Sequence, residues 1–203
     1  MGNTTVSHTP VPNQGKKRLS VCVFCGSSFG TDPVYAASAK RLGELIAASG
    51  YGLVFGGGNV GLMGEVARAA RDGGVPVQGI LPAFLKHLEP PLKAKEDVII
   101  TPDLQTRKVK MLSMSDAFVV LPGGLGTLDE YFEVVTSAQL HVFKKPIVVV
   151  DTAGYYEPLM ALMKHVVSKG FAKPEALALH HVVPSADEAV AVLNRLLAPQ
   201  LQA

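Results

Sequence analysis

Short runs of apolar, often β-branched residues alternate with amphipathic stretches along most of the chain, and this alternation limits the folds open to it. Most runs are apolar throughout, as expected for strands buried on both faces of a parallel sheet. We therefore predict an α/β fold, a Rossmann-like parallel sheet with helices on both faces, in a single domain. The predicted strands are Ser20–Cys25, Gly52–Phe55, Val75–Ile80, Val98–Thr101, Ala117–Leu121, Ile147–Val150 and Leu179–Val183.

Helix start and stop signals lie between these runs. Asp32 is an N-cap followed by Pro33 at the first helical position, and Gly50 stops the helix that begins there. The other predicted helices are Met63–Arg71, Leu104–Met114, Leu128–Leu140, Tyr156–Ser168 and Ala186–Leu197. Residues 1–18 are polar and contain Pro and Gly, so we predict a disordered tail there and one Rossmann-like domain over 19–203.

Charge and hydropathy narrow the classes of partner. Lys and Arg number 19 and Asp and Glu number 17, so the net charge is only +2. This balance gives no reason to expect a nucleic acid or a membrane surface as a partner. No apolar run approaches the roughly 20 residues that span a bilayer, and the N-terminal residues lack the apolar stretch of a secretory signal. We expect the protein in the cytoplasm.

The two cysteines, Cys22 and Cys25, form a C-x-x-C pair inside the first predicted strand. Residues three apart on a strand face opposite sides of the sheet. A redox pair needs a helix N-terminus, and a zinc site needs about two more ligands nearby. The sequence therefore favours buried structural cysteines over a redox or metal site, and we predict no metal.

Three loops that leave predicted strands are rich in small residues: Gly26–Ser28, Gly56–Gly64 and Pro122–Thr127. Each opens a helix, and the first N–H groups of a helix lack partners and carry partial positive charge. Tight strand–helix turns favour glycine anyway. Three such loops at one end of a single sheet nevertheless predict a site for an anion or a nucleotide.

Standard nucleotide motifs fit poorly. The string G-x-x-x-x-G-K-[ST] of the P-loop is absent from the sequence. Gly56, Gly58 and Gly61 match the G-x-G-x-x-G fingerprint of dinucleotide sites, but no acidic residue follows about 20 residues on to bind a ribose diol. The sequence therefore argues against NAD.

Two charged elements lie near the predicted site. Arg107 and Lys108 are one turn into the third helix, where a guanidinium suits phosphate or carboxylate, although most charge runs are solvated helix faces. Thr127 and Glu130 form a T-x-x-E pattern, which is typical of a capping box with Thr127 as N-cap. The alternative is that Glu130 is a carboxylate at the mouth of the site.

These residues resemble the LOG (Lonely Guy) family. Pro122-Gly-Gly-Leu-Gly-Thr-Leu-Asp-Glu130 matches its P-G-G-x-G-T-x-x-E signature, and Arg107-Lys108 matches its Arg-Lys pair. Other segments also resemble the family over about residues 19–185. They are Cys25-Gly-Ser-Ser28, Gly57-Gly-Asn-Val-Gly-Leu-Met-Gly64, Ser115-Asp-Ala-Phe-Val-Val-Leu121 and Thr136-Ser-Ala-Gln-Leu140.

The resemblance implies a cytokinin riboside 5′-monophosphate phosphoribohydrolase. Such an enzyme hydrolyses the N-glycosidic bond of N6-modified AMP, and often of AMP, to the free base and ribose 5-phosphate, without a cofactor. Arg107 and Glu130 would be the catalytic pair, and a homodimer is implied. The implied substrate-binding residues are Ser27, Gly57, Gly58, Glu89, Arg107, Lys108, Met111, Gly123, Gly124, Gly126, Thr127 and Thr136.

Other interpretations and two departures qualify this expectation. Leu104-Gln105-Thr106 and Leu125 differ from many members, and these changes bear on the preferred base rather than on the reaction. A non-catalytic nucleotide-binding or regulatory protein on the same scaffold would keep the glycine loops. A lysine decarboxylase, a label attached to some relatives, would need a lysine that carries PLP, and no lysine here has a recognisable context for one.

Overall fold

The computed structural model describes residues 18–87 and 98–201, in which seven strands form one parallel sheet. The strand order is β4-β3-β2-β1-β5-β6-β7, with every neighbouring pair parallel. The predicted Rossmann-like parallel sheet is confirmed. The strands are β1 Ser20–Phe24, β2 Gly52–Phe55, β3 Val77–Pro82, β4 Val98–Thr101, β5 Ala117–Val120, β6 Ile147–Val150 and β7 His181–Val183. Of the predicted tail, residues 1–17 lie outside the described residues.

Helices cover both faces of the sheet, as predicted. They are α1 Pro33–Ala48, α2 Gly61–Asp72, α3 Leu104–Ser113, α4 Leu125–Gln139, α5 Glu157–Ser168 and α6 Ala186–Leu201. Residues of α1, α2 and α6 pack in one apolar cluster, and residues of α3, α4 and α5 pack in another on the opposite face. No helix in the described ranges is long and apolar enough to cross a membrane.

Side-chain alternation along the strands fills these two clusters. On β1, Val21 and Val23 face the α1 side, whereas Cys22 and Phe24 face the α4 side. All four are at most 1% exposed. Burying an apolar side chain of this size contributes about 1.5–3 kcal/mol, so a strand buried on both faces must be apolar at every position. This requirement explains the continuous apolar runs in the sequence.

Several element boundaries differ from the prediction. β3 begins at Val77 rather than Val75, because Pro76 has no N–H to donate, although its carbonyl accepts from the Leu53 N–H at 2.9 Å. β7 begins at His181, after a 3-10 segment, Pro174–Ala178. α2 begins two residues earlier than predicted, and α4 begins at Leu125 instead of Leu128. The start of α4 changes the interpretation of the signature.

The centre of the sheet is the point where the winding reverses. β1 and β5 are neighbours, and from them the chain proceeds outward in opposite directions, to β4 on one side and β7 on the other. α1 follows β1 on one face, and α4 follows β5 on the other. Loops that leave adjacent strands toward opposite faces enclose a crevice, and ligands of open α/β sheets bind in it.

Neither cysteine forms a disulfide, and both are buried. Cys22 belongs to the α4-side cluster and Cys25 to the α1-side cluster, as strand alternation predicts. Burial raises the pKa of the Cys22 thiol well above its ordinary value, and the nearby charge of Glu130 raises it further. Cys22 is therefore a protonated core thiol.

His180 generates a prediction about stability. Its ring is buried, meets the Tyr131 ring edge-on at 5.7 Å, and places Nε2 3.4 Å from the Met160 sulfur. Burial lowers the pKa of His180 below 6.5. The unfolded chain therefore binds this proton at a higher pH than the folded chain. The stability that His180 contributes is complete above its unfolded pKa and is lost as the pH falls through its folded pKa.

We expect His180→Gln to flatten the decrease in unfolding free energy between about pH 7 and about pH 5. Urea unfolding at a series of pH values measures this slope. His165→Gln, at an exposed position on α5, is the matched control and should keep the wild-type slope. An unchanged slope in His180→Gln would contradict the assignment.

Candidate active site

Gly26 joins the three glycine-rich loops through its own backbone. Its N–H donates to the Pro122 carbonyl at 3.0 Å, which fastens the loop after β1 to the loop after β5. Its carbonyl accepts from the N–H groups of Leu62 at 3.0 Å and Met63 at 3.3 Å, in the first turn of α2. The loops predicted to share one end of the sheet are thus brought together around one residue.

Two of the three helix N-termini are already satisfied within the protein. The first N–H groups of α2 donate to Gly26, as described, and the Asp32 side chain accepts from the Val34 N–H of α1 at 2.9 Å. The expectation that all three helices offer free donors is therefore wrong. A protein acceptor occupies the α2 terminus because the loop after β1 crosses directly over it.

The N-terminus of α4 differs from the other two. Gly124 is its N-cap and has no side chain with which to cap the helix. Thr127 is therefore inside the first turn rather than at the N-cap, and the predicted capping box with Glu130 is wrong. The Thr127 hydroxyl packs against Gly123 so closely that a Cβ on Gly123 would lie 2.1 Å from its oxygen. The signature thus opens α4 three residues earlier and turns Glu130 inward.

Glu130 forms an ion pair with Arg107 at the end of the sheet where the glycine loops meet. Arg107 Nη2 lies 3.0 Å from Glu130 Oε1, and the two side chains are only 12% and 9% exposed. Asp103 caps α3 by accepting from the Thr106 N–H at 2.6 Å, which places Arg107 one turn into that helix. A nearly buried pair of this kind costs desolvation that its own attraction repays only with good geometry.

Gly56 makes room for the guanidinium. A Cβ at this position would lie 2.4 Å from Arg107 Nη2 and 2.9 Å from the Met63 sulfur. The first glycine of the dinucleotide-like string thus admits a side chain of the protein itself. The close approach of Arg107 therefore explains why position 56 is a glycine, although the sequence pattern associates this glycine with a cofactor.

Two adjoining cavities open at this end of the sheet. The first, of about 190 Å³, contains the ion pair and the start of α4; its lining includes Cys25, Ser27, Arg107, Gly124, Thr127 and Glu130. The second, of about 270 Å³, lies over the crevice between β1 and β5; its lining includes Ser27, Phe29, Tyr35, Gly123, Gly124 and Tyr155. Ser27 and Gly124 border both, so the two cavities adjoin at the loops after β1 and β5.

Lys108 contacts acidic groups of α4. Its ammonium lies 2.6 Å from a Glu133 oxygen and 3.1 Å from an Asp129 oxygen. The hydrogen bond with Glu133 raises the pKa of Lys108 above its ordinary value, and the bond with Asp129 adds to this. Lys108 thus ties α3 to α4 beside the Arg107–Glu130 pair and helps to fix the distance between the two helices.

The remaining predicted residues are less closely grouped. Gly57 and Gly58 are buried and border neither of the two cavities, and Met111 is fully buried in the α4-side cluster. Thr136 is exposed, almost two turns beyond Glu130 on α4. Glu89 lies outside the described residues. Their contact with a substrate stays a prediction.

Sequence reasoning missed the aromatic side of the second cavity. Phe29, Tyr35 and Tyr155 line it, and the Tyr155 hydroxyl donates to the Gly123 carbonyl at 2.6 Å. Tyr155 and Tyr156 directly follow the 3-10 segment Thr152–Gly154 after β6. The sequence did hold a signal, because both tyrosines follow a strand at the ligand end of the sheet. The prediction treated Tyr156 only as the start of a helix.

Comparison with known proteins assigns the chain to a family. Residues 63–193 match a family described as possible lysine decarboxylase. An Arabidopsis thaliana protein named cytokinin riboside 5′-monophosphate phosphoribohydrolase is 41% identical over 181 residues, 89% of this chain and 84% of its own length. The chain belongs to the LOG family. A rice relative (Oryza sativa subsp. japonica), named as a probable enzyme of the same kind, is 37% identical over 188 residues, 93% of this chain and 84% of its own length.

Solved structures with the LOG-family fold include proteins with a different described role. The molybdenum cofactor binding protein from Rippkaea orientalis has a TM-score of 0.68 at 22% identity and covers 89% of this chain and 99% of its own. The molybdenum cofactor carrier protein from Chlamydomonas reinhardtii has a TM-score of 0.67 at 24% identity and covers 90% and 99%. These likenesses concern the fold alone.

The contact between Gly56 and Arg107 can be tested. We expect Gly56→Ala to fold and to lose about 1 kcal/mol of stability, because both clashing atoms lie in the outer part of flexible side chains. The guanidinium should move away from Glu130, and a crystal structure of the variant would show the displacement. Gly126→Ala is the matched control, since a Cβ there meets nothing within 4 Å. An ion pair still at 3.0 Å in Gly56→Ala would contradict this role.

Proposed function

We propose that the protein hydrolyses the N-glycosidic bond of nucleoside 5′-monophosphates, namely N6-modified AMP (cytokinin ribotides) and AMP, to the free base and ribose 5-phosphate. The observation that carries this proposal is the nearly buried Arg107–Glu130 pair beside the uncapped start of α4. Membership of the LOG family and the names of the Arabidopsis and rice relatives support the same reaction.

Glu130 has the chemistry that the reaction needs. Cleavage of an N-glycosidic bond builds positive charge on the sugar in an oxocarbenium-like transition state. A fixed, nearly buried carboxylate stabilises that charge more strongly than one in water, or it activates the attacking water as a general base. Among the described residues that line the cavity of the ion pair, no second carboxylate accompanies Glu130, because the neighbouring Asp129 turns away to Lys108.

Arg107 complements the carboxylate. Its guanidinium is the counter-charge of the Glu130 carboxylate, and its remaining donors can orient the substrate and polarise the departing base. A pair at 3.0 Å also keeps the carboxylate in one orientation before the substrate arrives. Pre-organisation of this kind is a large part of electrostatic catalysis.

The start of α4 is the proposed phosphate site. Gly124 and Gly126 carry no side chain over the first turn, where a Cβ would meet nothing within 4 Å, so a phosphate can reach the backbone N–H groups. Ser27 borders both cavities beside this turn, and Thr127 and Gly123 complete its wall. A phosphate here would leave the sugar next to Glu130.

A non-catalytic nucleotide-binding protein is the alternative, and one substitution separates the two. Glu130→Gln keeps the size of the side chain and removes its charge. With AMP and N6-isopentenyl-AMP as substrates, we expect kcat to fall about 100- to 10,000-fold, the usual effect of removing a catalytic acid–base or electrostatic group. Released base and ribose 5-phosphate would be quantified by chromatography.

Asp129→Asn is the matched control for Glu130→Gln. It neutralises the adjacent carboxylate, whose side chain is 58% exposed, and Lys108 keeps its 2.6 Å contact with Glu133 on the same helix, so we expect near wild-type turnover. Unfolding midpoints of both variants would verify that they fold. If the wild-type protein releases no base although AMP raises its unfolding midpoint, the enzyme proposal fails and the alternative holds.

We further propose that the protein works in the cytoplasm as a homodimer. Two large apolar residues on α4, Leu125 and Phe132, are exposed and lie seven residues apart, which places them on one helix face. Leu125 also borders the cavity of the ion pair, so a partner packed on this face would border the site. We expect sedimentation equilibrium to give twice the mass of one chain, and Phe132→Glu to reduce it; a monomeric wild type would contradict the proposal.

A further inference from the structure

Two adjacent tyrosines after β6 reach back to the connection between β5 and α4. The Tyr155 hydroxyl donates to the Gly123 carbonyl at 2.6 Å, and the Tyr156 hydroxyl donates to the Leu121 carbonyl at 2.7 Å. Tyr156 is buried in the α4-side cluster, whereas Tyr155 is 40% exposed and lines the aromatic cavity. The two hydroxyls therefore hold carbonyls on either side of Pro122.

The backbone that carries these tyrosines is strained. Ala153 has φ 54°, a left-handed conformation that is costly for a residue with a side chain, and Gly154 follows with φ 73°. The Asp151 side chain stabilises the turn by accepting from the Tyr156 N–H at 2.6 Å. Strain of this kind persists where surrounding structure fixes a required geometry. Here the turn directs the two aromatic side chains toward the signature loop.

The Tyr155 hydrogen bond fixes a peptide group of the proposed phosphate site. The carbonyl of one residue and the N–H of the next point in opposite directions across a trans peptide. Holding the Gly123 carbonyl therefore fixes the direction of the Gly124 N–H at the start of α4. This peptide lies between two glycines, and a side chain that would hinder its rotation is absent from both.

We propose that Tyr155 is a positioning residue that locks the Gly123–Gly124 peptide in the orientation that binds the substrate phosphate. The inference rests on the proposed function for the identity of the substrate, although the anion site itself can be tested without turnover. Tyr155 acts through the loop and touches no reacting atom. Its ring is held independently by edge contacts with Tyr35 at 5.7 Å and Tyr156 at 4.9 Å, so removing the hydroxyl leaves the ring in place.

The test is Tyr155→Phe, with Tyr156→Phe as the matched control. We expect Tyr155→Phe to raise the KM for AMP and the Kd for ribose 5-phosphate about 3- to 10-fold, the range of one neutral hydrogen bond. Its kcat should stay within about twofold, as for a loss of uniform binding. Inhibition by adenosine, which has no phosphate, should be unchanged. Tyr156→Phe should lower the unfolding midpoint and leave the Kd for ribose 5-phosphate unchanged.

The outcomes separate this inference from the proposed function. The positioning role is overturned if Tyr155→Phe binds ribose 5-phosphate as tightly as the wild type. It is also overturned if the affinities for adenosine and for ribose 5-phosphate fall by the same factor. If the wild type binds no ribose 5-phosphate by calorimetry, it is overturned as well. If the wild type hydrolyses no AMP, yet Tyr155→Phe alone weakens the binding of ribose 5-phosphate, the proposed reaction fails and the positioning role stands.

Discussion

The close contact of three loops around Gly26 holds the ligand end of this sheet together. One peptide N–H reaches across to the β5 loop, and the neighbouring carbonyl reaches down to the start of α2. A Cβ on Gly61 would lie 2.3 Å from the carbonyl carbon of Ser27, so the approach of α2 to the β1 loop leaves no space for a side chain. Gly26 also lines the cavity that contains Arg107 and Glu130, so this contact between the loops forms part of the wall around the ion pair.

The ion pair is better explained by chemistry than by stability. Two nearly buried charges gain little over an apolar pair of the same volume, because their desolvation offsets their attraction. Removing one partner is nevertheless strongly destabilising, because the other charge then stays buried without a counter-charge. Gly56, the salt bridges of Lys108 and the Asp103 cap all act to keep it in place. That much supporting structure around an ion pair of modest stability value is typical of a functional site.

The sequence predicted the sheet because strands that are buried on both faces must be apolar throughout. Short apolar runs that alternate with amphipathic helical stretches are typical of a parallel sheet. It also predicted the end of the sheet at which Arg107 and Glu130 meet, because all parallel strands have their carboxyl ends on the same side of the sheet. It failed at the start of α4, where the T-x-x-E pattern matched a capping box that the structure does not contain. Local pattern cannot show that Gly124 starts the helix and that Glu130 is drawn inward by a residue 23 positions earlier in the chain. Tyr155 was missed for the same reason, since its hydrogen bond joins residues 32 apart.

The carbonyl of Gly26 has a consequence for how such sequences are interpreted. In dinucleotide-binding folds the turn that carries the glycine fingerprint presents the N–H groups of a helix N-terminus to a pyrophosphate. In this chain an acceptor of the protein already occupies the start of α2, the helix that follows the matching string. A second phosphate group placed there would meet a lone pair instead of an N–H. In this chain, a fingerprint that usually signals a dinucleotide cofactor therefore encodes a contact between two loops of the protein itself.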